Sequence, residues 1–338
     1  MLPGSKRTPR EPVFRRAAIP FYLAHFVPLF ALLTGVSRTA VMLFVGLYVT
    51  RVFFVTAGYH RYFSHRAFTM GRVAQFVFAV GGATAVQKGP LWWASHHRAH
   101  HRYTDTDRDP HSPQRGLWWS HVGWILSDRF TKTDESAVAD LAKFPELRWL
   151  NRHDWVAPWS LGVACYLVGG WSGLVVGFFG STVLLWHATF AINSLAHLLG
   201  SRRFATNDSS RNNAALALLT LGEGWHNNHH HYPRAARQGV RWWELDITYL
   251  VLRVLQRVHI VHELREPPAA SIATHRIRRG AHDVGLIRYH LSRAAAIGGR
   301  TPNSEQIAQI LEAAAQQVHA LARAAAPGPA PRSEPLGG

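Results

Sequence analysis

The feature that most limits how this chain can fold is a pair of apolar double runs. Residues 17–37 (AAIPFYLAHFVPLFALLTGVS) carry no formal charge, and residues 39–59 carry only Arg51, with Ser37 and Arg38 at the junction. Residues 155–171 and 173–195 repeat the arrangement around Gly169-Gly170-Trp171-Ser172-Gly173. Each run falls in the range of about 17–25 residues that a helix needs to cross a hydrocarbon core of about 30 Å. A backbone in hydrocarbon must satisfy its own hydrogen bonds, which selects helices. The expected fold is an all-α membrane protein with four transmembrane helices, arranged as two hairpins. The leading run is too long for a cleavable signal, and no small-residue cleavage pattern closes it.

Basic residues set the expected orientation. Neither hairpin turn holds more than one, whereas the N-terminus, the centre and the C-terminal third are full of them. The positive-inside rule then puts both termini and the central segment in the cytoplasm. Residues 1–16 form an N-terminal cytoplasmic segment and residues 17–266 the main domain. Within that domain, residues 60–153 and 196–266 build a helical cytoplasmic cap. Residues 267–338 form a tail, helical over Thr301–Ala325 and disordered over PGPAPRSEPLGG. Inside the cap, residues 74–93 read as one buried or interfacial helix, because Gln75, Gln87 and Lys88 interrupt the apolar run. Trp92, Trp93, Trp118, Trp119, Trp124, Trp242 and Trp243 read as a belt at the lipid headgroups.

The net charge of +17 rests mainly on arginine. No zinc finger, RNA-recognition motif or helix-turn-helix accompanies it, so a nucleic-acid partner is not expected. The single Cys165 excludes an intrachain disulfide and a cysteine-held cluster. Histidine is the anomaly, at 22 residues against 20 Asp and Glu together.

Four clusters give those histidines a pattern: His60-Arg-Tyr-Phe-Ser-His65, His97-Arg-Ala-His100-His101, Asn193-Ser-Leu-Ala-His197 and His226-Asn-Asn-His229-His230. On a helix, residues at i, i+3 and i+4 share a face. Adjacent imidazoles there are costly unless a metal takes their neutral nitrogens, and imidazole suits iron, zinc, copper and nickel. Asn193 and His197, four apart, also share a face. His60 and His65, five apart, diverge by about 140° on an ideal helix, so they converge only if the helix ends between them. The nine imidazoles exceed the roughly four ligands of zinc or six of an octahedral ion, and two metals are expected. The Glu-x-x-His signature of soluble di-iron bundles is absent. His25, His153, His187, His259, His262, His275, His282, His290 and His319 stand singly and are given no role.

The stretch WWASHHRAHHRYTDTDRDPHSPQRGLWWSHVGWIL (residues 92–126), with NSLAHLLG (193–200) and GEGWHNNHHHYP (222–233), resembles the membrane fatty acid desaturases. Among them it is similar to the stearoyl-CoA (acyl-CoA Δ9) branch, in a bacterial type. The resemblance implies a mushroom of four transmembrane helices under a cytoplasmic cap that holds two Fe ions. It implies one iron on His60, His65, His101 and His230, with Asn193 acting through a water. It implies the other on His97, His100, His197, His226 and His229. His96 and His231 fall where the animal enzymes have other residues and stay outside the ligand set. Asp105, Asp107, Asp109, His111 and Glu223 are candidates to orient imidazoles through their outer nitrogens; Asp109, His111 and Glu223 match the family. Gln87, Trp93 and Phe190 match the wall of a tunnel for the acyl chain. Two departures bear on the carrier. Ser95 and His96 replace an Arg-Asp pair that helps hold CoA in the animal enzymes, and Ser127-Asp128 replace a basic pair after the HVGW segment.

The implied activity is O2-dependent formation of a cis double bond, at Δ9, in a saturated long-chain acyl-CoA or another acyl carrier, at a bacterial inner membrane. A saturated methylene gives acid–base or nucleophilic catalysis no handle, so the cofactor must supply the chemistry. Electrons must come from outside, because the sequence shows no cytochrome b-type domain, flavin fingerprint or cysteine cluster. A separate ferredoxin-like or cytochrome partner with its reductase is therefore expected, and membrane lipid is the other partner. Two rivals stand beside this reading. A histidine-box hydroxylase or ketolase would insert oxygen at the same metals. A metal-binding transporter would line a polar path through its helices with histidine, whereas these crossings are nearly free of ionisable groups.

Overall fold

The computed structural model describes residues 18–277 and 283–298. Almost every element is helical. The first helix, α1 (Ile19–Thr34), has Pro20 in its first turn, where a missing N–H leaves no bond unmade. It tightens into a 3-10 turn at Val27–Phe30 and ends at Gly35, whose φ of 69° suits glycine. The Ser37 side chain then accepts from Ala40 N–H and caps α2 (Arg38–Ser64). Three shorter helices follow: α3 (Arg72–Ala83), α4 (Pro90–Tyr103) and α5 (Pro145–Arg152).

Among the described residues, two helical stretches are long and apolar enough to cross a membrane, Arg38–Ser64 and Val156–His197. The second is a hairpin. At Gly170 (φ 60°, ψ −153°) the chain doubles back, so Gly162 faces the Phe178 ring. A Cβ on Gly173 would sit 2.4 Å from the Cys165 carbonyl oxygen. The hairpin therefore consists of α6 (Val156–Ser172) and α7, residues 173–197. The Ser172 hydroxyl donates to Gly35 C=O at 2.9 Å and accepts from Ser37 N–H at 3.1 Å, which joins the tips of both turns. Leu32 and Leu33 on α1 are 90% and 81% exposed, and Leu167 and Val168 on α6 are also exposed. A neighbourhood of bare leucine and valine on apolar helices fits contact with lipid.

Arg51, the one charge in α2's apolar run, is 1% exposed. It donates to the Leu47 and Thr84 carbonyls, to Thr182 Oγ1 at 2.7 Å and to Ser181 Oγ at 2.5 Å. Its fork thus joins α2, the end of α3 and α7, and a buried guanidinium is tolerated because its donors are placed.

Two expectations need correction, and a third is met by an unexpected winding. Residues 74–93 are two helices, not one: α3 stops near Ala83, Val86 and Lys88 take positive φ, and Pro90 opens α4 from its first position. The helix ends at Ser64, between His60 and His65 as expected, but its last turns are not α-helical. Residues Phe54–Ser64 wind as a π-helix, and His65 N–H donates to His60 C=O at 3.3 Å. The wider i→i+5 winding narrows the divergence that residues five apart have on an ideal α-helix. The tryptophans form no common belt, for Trp92 and Trp124 are buried and stack at 5.7 Å, with Trp92 Nε1–H donating to Phe130 C=O. Trp118, Trp242 and Trp243 are exposed.

Beyond the hairpins, a core of Phe63, Phe68, Phe78, Leu147, Leu150 and Leu252 binds α2, α3, α5 and the later helix α10. The remaining helices in this unit include α8 (Ala214–Leu219), α9 (His226–His231) and α10 (Ile247–Arg257). A two-stranded antiparallel ribbon pairs β1 (Thr69–Met70) with β2 (Val261–His262), a small exception to the all-helical expectation. A second unit, residues 278–338, contains α11 (Val284–Gly298). The expected N-terminal segment 1–16 and the expected helix over Thr301–Ala325 lie outside the described residues.

Candidate metal centre

Four elements deliver the histidines. The widened end of α2 supplies His60 and His65, α4 supplies His97, His100 and His101, the end of α7 supplies His197, and α9 supplies His226, His229 and His230. Their ring nitrogens gather into two groups. His60, His65, His97, His101 and His229 form one, and His100, His197, His226 and His230 form the other, with ligand atoms in each group within 4.8 Å of one another. Each His-x-x-His-His box straddles both groups. His97 and His101 go to the first while His100 goes to the second; His226 and His230 go to the second while His229 goes to the first. Helix geometry accounts for this, since i and i+4 lie about 40° apart around the axis and i+3 about 100° from i+4. The grouping differs from the division implied by the resemblance, which placed His230 with His60 and placed His97 and His229 with His100.

The approach of the ring nitrogens is chemically informative. Nε2 to Nε2 separations are 3.0 Å for His60–His229, 2.8 Å for His65–His97 and 2.9 Å for His229–His101. In the second group they are 3.3 Å for His100–His230 and 3.1 Å for His226–His197. Several outer nitrogens are already committed. His100 Nδ1 faces Asp109 at 3.0 Å, His230 Nδ1 faces Asp208 at 2.9 Å, and His197 Nδ1 lies 3.0 Å from Ser209 Oγ and 3.3 Å from Asp105. His60 Nδ1 pairs with Glu223. A neutral imidazole that donates from Nδ1 has only a lone pair at Nε2. His100 and His230 therefore point two lone pairs at each other, which is repulsive unless a cation lies between them. The donor set fits two transition-metal ions such as iron.

The surroundings aim these rings and disfavour the charged form of most of them, whereas Asp105 pushes the buried His197 the other way. Burial, reinforced by neighbouring imidazoles, keeps His97, His100, His101, His226 and His229 well below the ordinary histidine range. Burial opposes ionisation of Asp105 and Glu223. The paired His197 in the first case, and His60 with Arg61 in the second, overcome it and hold each carboxyl at about 2. Asp208 is pushed far down against its own burial, chiefly by His230 and by Ser210. Arg61 fixes the Glu223 end of the frame, with Nη2 2.8 Å from Glu223 and Nη1 2.9 Å from Asp246. The glycines of GEGWHNNHH follow from this crowding. A Cβ on Gly222 would meet Asp246 Oδ1 at 2.5 Å, and one on Gly224 would meet Ala217 N at 2.1 Å.

The other sequence candidates are distributed as follows. Asp109 accepts from His100 Nδ1 and from the backbone N–H groups of Asp105 and His111. The His111 ring packs on His100 at 4.2 Å, but its Nδ1 lies 3.8 Å from Asp109, too far for a hydrogen bond. Asp107 is exposed. His96 bonds to Trp92 C=O and His231 to Ser271 C=O, so both lie outside the two groups. Asn193 occupies the last turn of the helix that ends at His197 and is half-buried. Trp93 stacks on His97 at 4.9 Å and donates from Nε1 to Gln87 Oε1 at 3.2 Å; Gln87 in turn donates to Thr189. Trp93 packs with Phe190 in one apolar cluster beside the first histidine group. Sequence reasoning missed Asp208 and Ser209. They sit in the loop 198–213, where no periodicity marks a residue, and only their place between two histidine boxes could have drawn attention. It also gave no role to His25 and His187, which join His121 in a line of imidazoles at 3.0 and 2.9 Å that ends on Ser194 Oγ.

A family model described as Fatty acid desaturase matches residues 8–262. The chain is 40% identical over 226 residues to an sn-2 palmitoyl-lipid 9-desaturase of Nostoc sp. (strain 36), covering 65% of this chain and 79% of the relative. It is 35% identical over 256 residues to an sn-1 stearoyl-lipid 9-desaturase of Synechocystis sp., covering 75% and 80%. An icosanoyl-CoA 5-desaturase of Limnanthes douglasii is 39% identical over 221 residues, covering 64% of this chain and 62% of that protein. The chain thus spans less than two thirds of the Limnanthes relative's length.

Proposed function

The chain belongs to the fatty acid desaturase family, and we propose that it is an O2-dependent di-iron desaturase that forms a cis double bond in a lipid-linked acyl chain. The observation that carries the reading is the pair of polyhistidine groups beside an apolar wall of Trp93 and Phe190. Two bound irons would supply O2 activation, which no protein side chain can provide. His60, His65, His97, His101 and His229 would hold one iron; His100, His197, His226 and His230 would hold the other, with Asn193 beside His197 completing the smaller set. Asp105, Asp109, Asp208 and Glu223 keep imidazoles in the tautomer that offers Nε2. Trp93, Gln87 and Phe190 hold a saturated segment of the acyl chain next to the first group, which is a positioning task.

The membrane placement follows from lengths. α2 spans 27 residues, about 40 Å at 1.5 Å per residue, against a hydrocarbon core of about 30 Å. With the joined tips at Gly35 and Gly170 on one side, His60 and His65 emerge on the other. Four crossings, with the histidines and both termini in the cytoplasm, make the arrangement consistent with the basic loops. Ser95 and His96 bear on the carrier. Both are buried and bonded to Trp92 C=O, so neither offers a surface to a CoA group. The names of the Nostoc and Synechocystis relatives support a lipid ester and the Δ9 position. Overall, two C–H hydrogens, two external electrons and two protons reduce O2 to two waters, so a separate electron donor is required.

Expression in a desaturase-deficient host tests this, with fatty acids profiled in glycerolipid and CoA pools beside a His101→Ala control. New Δ9 monounsaturated acid in the lipid fraction of the wild type alone is expected. A product heavier by one oxygen would favour the hydroxylase reading.

A further inference from the structure

Resting on the desaturase reading, we propose that a cleft beside His65 is where an acidic, one-electron carrier protein docks. The reaction draws two electrons per turnover from an external donor and would take them up at the metals, so the donor must come close to a metal ligand. The cleft has a volume of about 560 Å³ and is lined by His65, Arg66, Arg98, Asp140, Tyr232 and Arg234, among others. Three guanidiniums face one carboxylate there, and an imidazole of the first metal group lies in the same wall.

The charges are built in. Arg98 donates to the Phe63, Ser64 and Ala137 carbonyls and pairs with Asp140 at 2.7 Å, so it is fixed behind the turn that carries His65. Arg66 pairs with Asp140 at 2.8 Å and lies over the Tyr62 ring. Its backbone sits at φ 52°, a left-handed conformation that side chains such as arginine rarely adopt. That strained turn places Arg66 immediately after the ligand, at the cleft. Arg234 is exposed and makes no hydrogen bond or ion pair among the described residues, so its charge is available to a partner.

His65 also differs from the imidazoles backed by carboxylates. Its Nε2 meets His97 Nε2 at 2.8 Å, while its Nδ1 has no hydrogen-bond partner among the described residues. The shortest connection from a cleft surface to the histidine centre therefore runs through one ring. A protein whose redox group is ringed by Asp and Glu would be steered here by opposite charge. In the membrane placement argued above, the cleft opens beyond the hydrocarbon, where a soluble carrier has access.

Binding tests this directly. The full-length, iron-loaded protein in nanodiscs of neutral lipid is titrated with a plant-type ferredoxin and with a soluble cytochrome b5. Both are acidic one-electron carriers. Arg234→Glu should weaken binding of at least one carrier by about ten-fold, and added salt should weaken wild-type binding. Arg257→Glu, the same charge change on α10, should alter it by less than about two-fold, and iron content should be equal in all three proteins. Equal loss for Arg234→Glu and Arg257→Glu, or no binding of either carrier, overturns the proposal. So does selective loss by Arg234→Glu of binding to phosphatidylglycerol vesicles with carrier binding intact, which would make the cleft a lipid site. If carrier binding depends on Arg234 but the expressed enzyme makes no unsaturated acid, the desaturase reading fails and the docking site stands.

Discussion

Replacing Asp208 by asparagine changes one atom and should remove one metal. Asp208 Oδ1 accepts from Thr206 Oγ1 at 2.8 Å, Ser210 N–H at 2.9 Å and Ser210 Oγ at 2.5 Å, whereas Oδ2 faces His230 Nδ1 at 2.9 Å. Three donors hold the Oδ1 side, so the new amide must keep its oxygen there and turn its NH2 toward His230. Two donors then face each other. Relief comes if His230 shifts its proton to Nε2, which withdraws the lone pair that points at the second group. Losses of about 10–100-fold in metal affinity are typical when the partner behind a ligating histidine is changed, or about 1.4–2.8 kcal/mol. The assay is iron per chain by plasma mass spectrometry during a chelator titration, with thermal unfolding recorded in parallel. Asp208→Asn should release about half its iron at chelator concentrations the wild type withstands, while Asp107→Asn, on an exposed site, should behave as wild type. Two irons held with unchanged chelator resistance in Asp208→Asn would refute the tautomer argument.

Other perturbations have equally definite outcomes. Acidification should destabilise the metal-free protein from about pH 6.5 downward, because His97, His100, His101, His226 and His229 are held neutral in the fold but take protons when unfolded. The unfolded state binds more protons, so stability rises with pH across that window; chemical denaturation at pH 5 and pH 7 measures the sign. A further loss between about pH 4.5 and 2 should follow from Glu223, whose carboxyl is held at about 2. Gly170→Ala places a side chain at φ 60° in the α6–α7 turn and should cost about 1–2 kcal/mol, read as a lowered melting temperature with iron content unchanged. Trp93→Ala removes the ring stacked on His97 and should cut turnover by at least ten-fold, while iron stoichiometry stays at wild-type level. Arg51→Lys should destabilise by about 2 kcal/mol, since one ammonium cannot reach the four acceptors that the fork reaches.

The legible and illegible parts of this molecule divide by physical cause. The histidine boxes were readable because a three- and four-residue spacing on a helix has one geometric meaning. The breaks between apolar runs were readable at Ser37-Arg38 and at Gly169–Gly173, although the first turn begins two residues earlier, at Gly35. His60 and His65 were not, because their convergence depends on a π-helical winding that an ideal 3.6-residue period does not contain. The partition between the two groups was hidden as well. A box fixes which histidines share a face, but only the opposing helix decides which half of that face meets His65 and which meets His197. Asp208 and Asp105 gain their meaning from loops folded behind the rings, and loops have no period to betray them. Trp92 and Trp124 read as interfacial from their neighbours in the chain, yet a partner carbonyl at Phe130 makes burial of Trp92 inexpensive.

Everything proposed for this molecule depends on two irons, held by nine histidines, removing hydrogen from an acyl chain. Purified protein reconstituted anaerobically with iron, reduced and given a saturated lipid and O2 in a single turnover, tests it most directly. Two irons per chain and a lipid product lighter by two hydrogens are expected, with both lost in His101→Ala. One metal per chain, or a product that gains oxygen with its hydrogens intact, would contradict it.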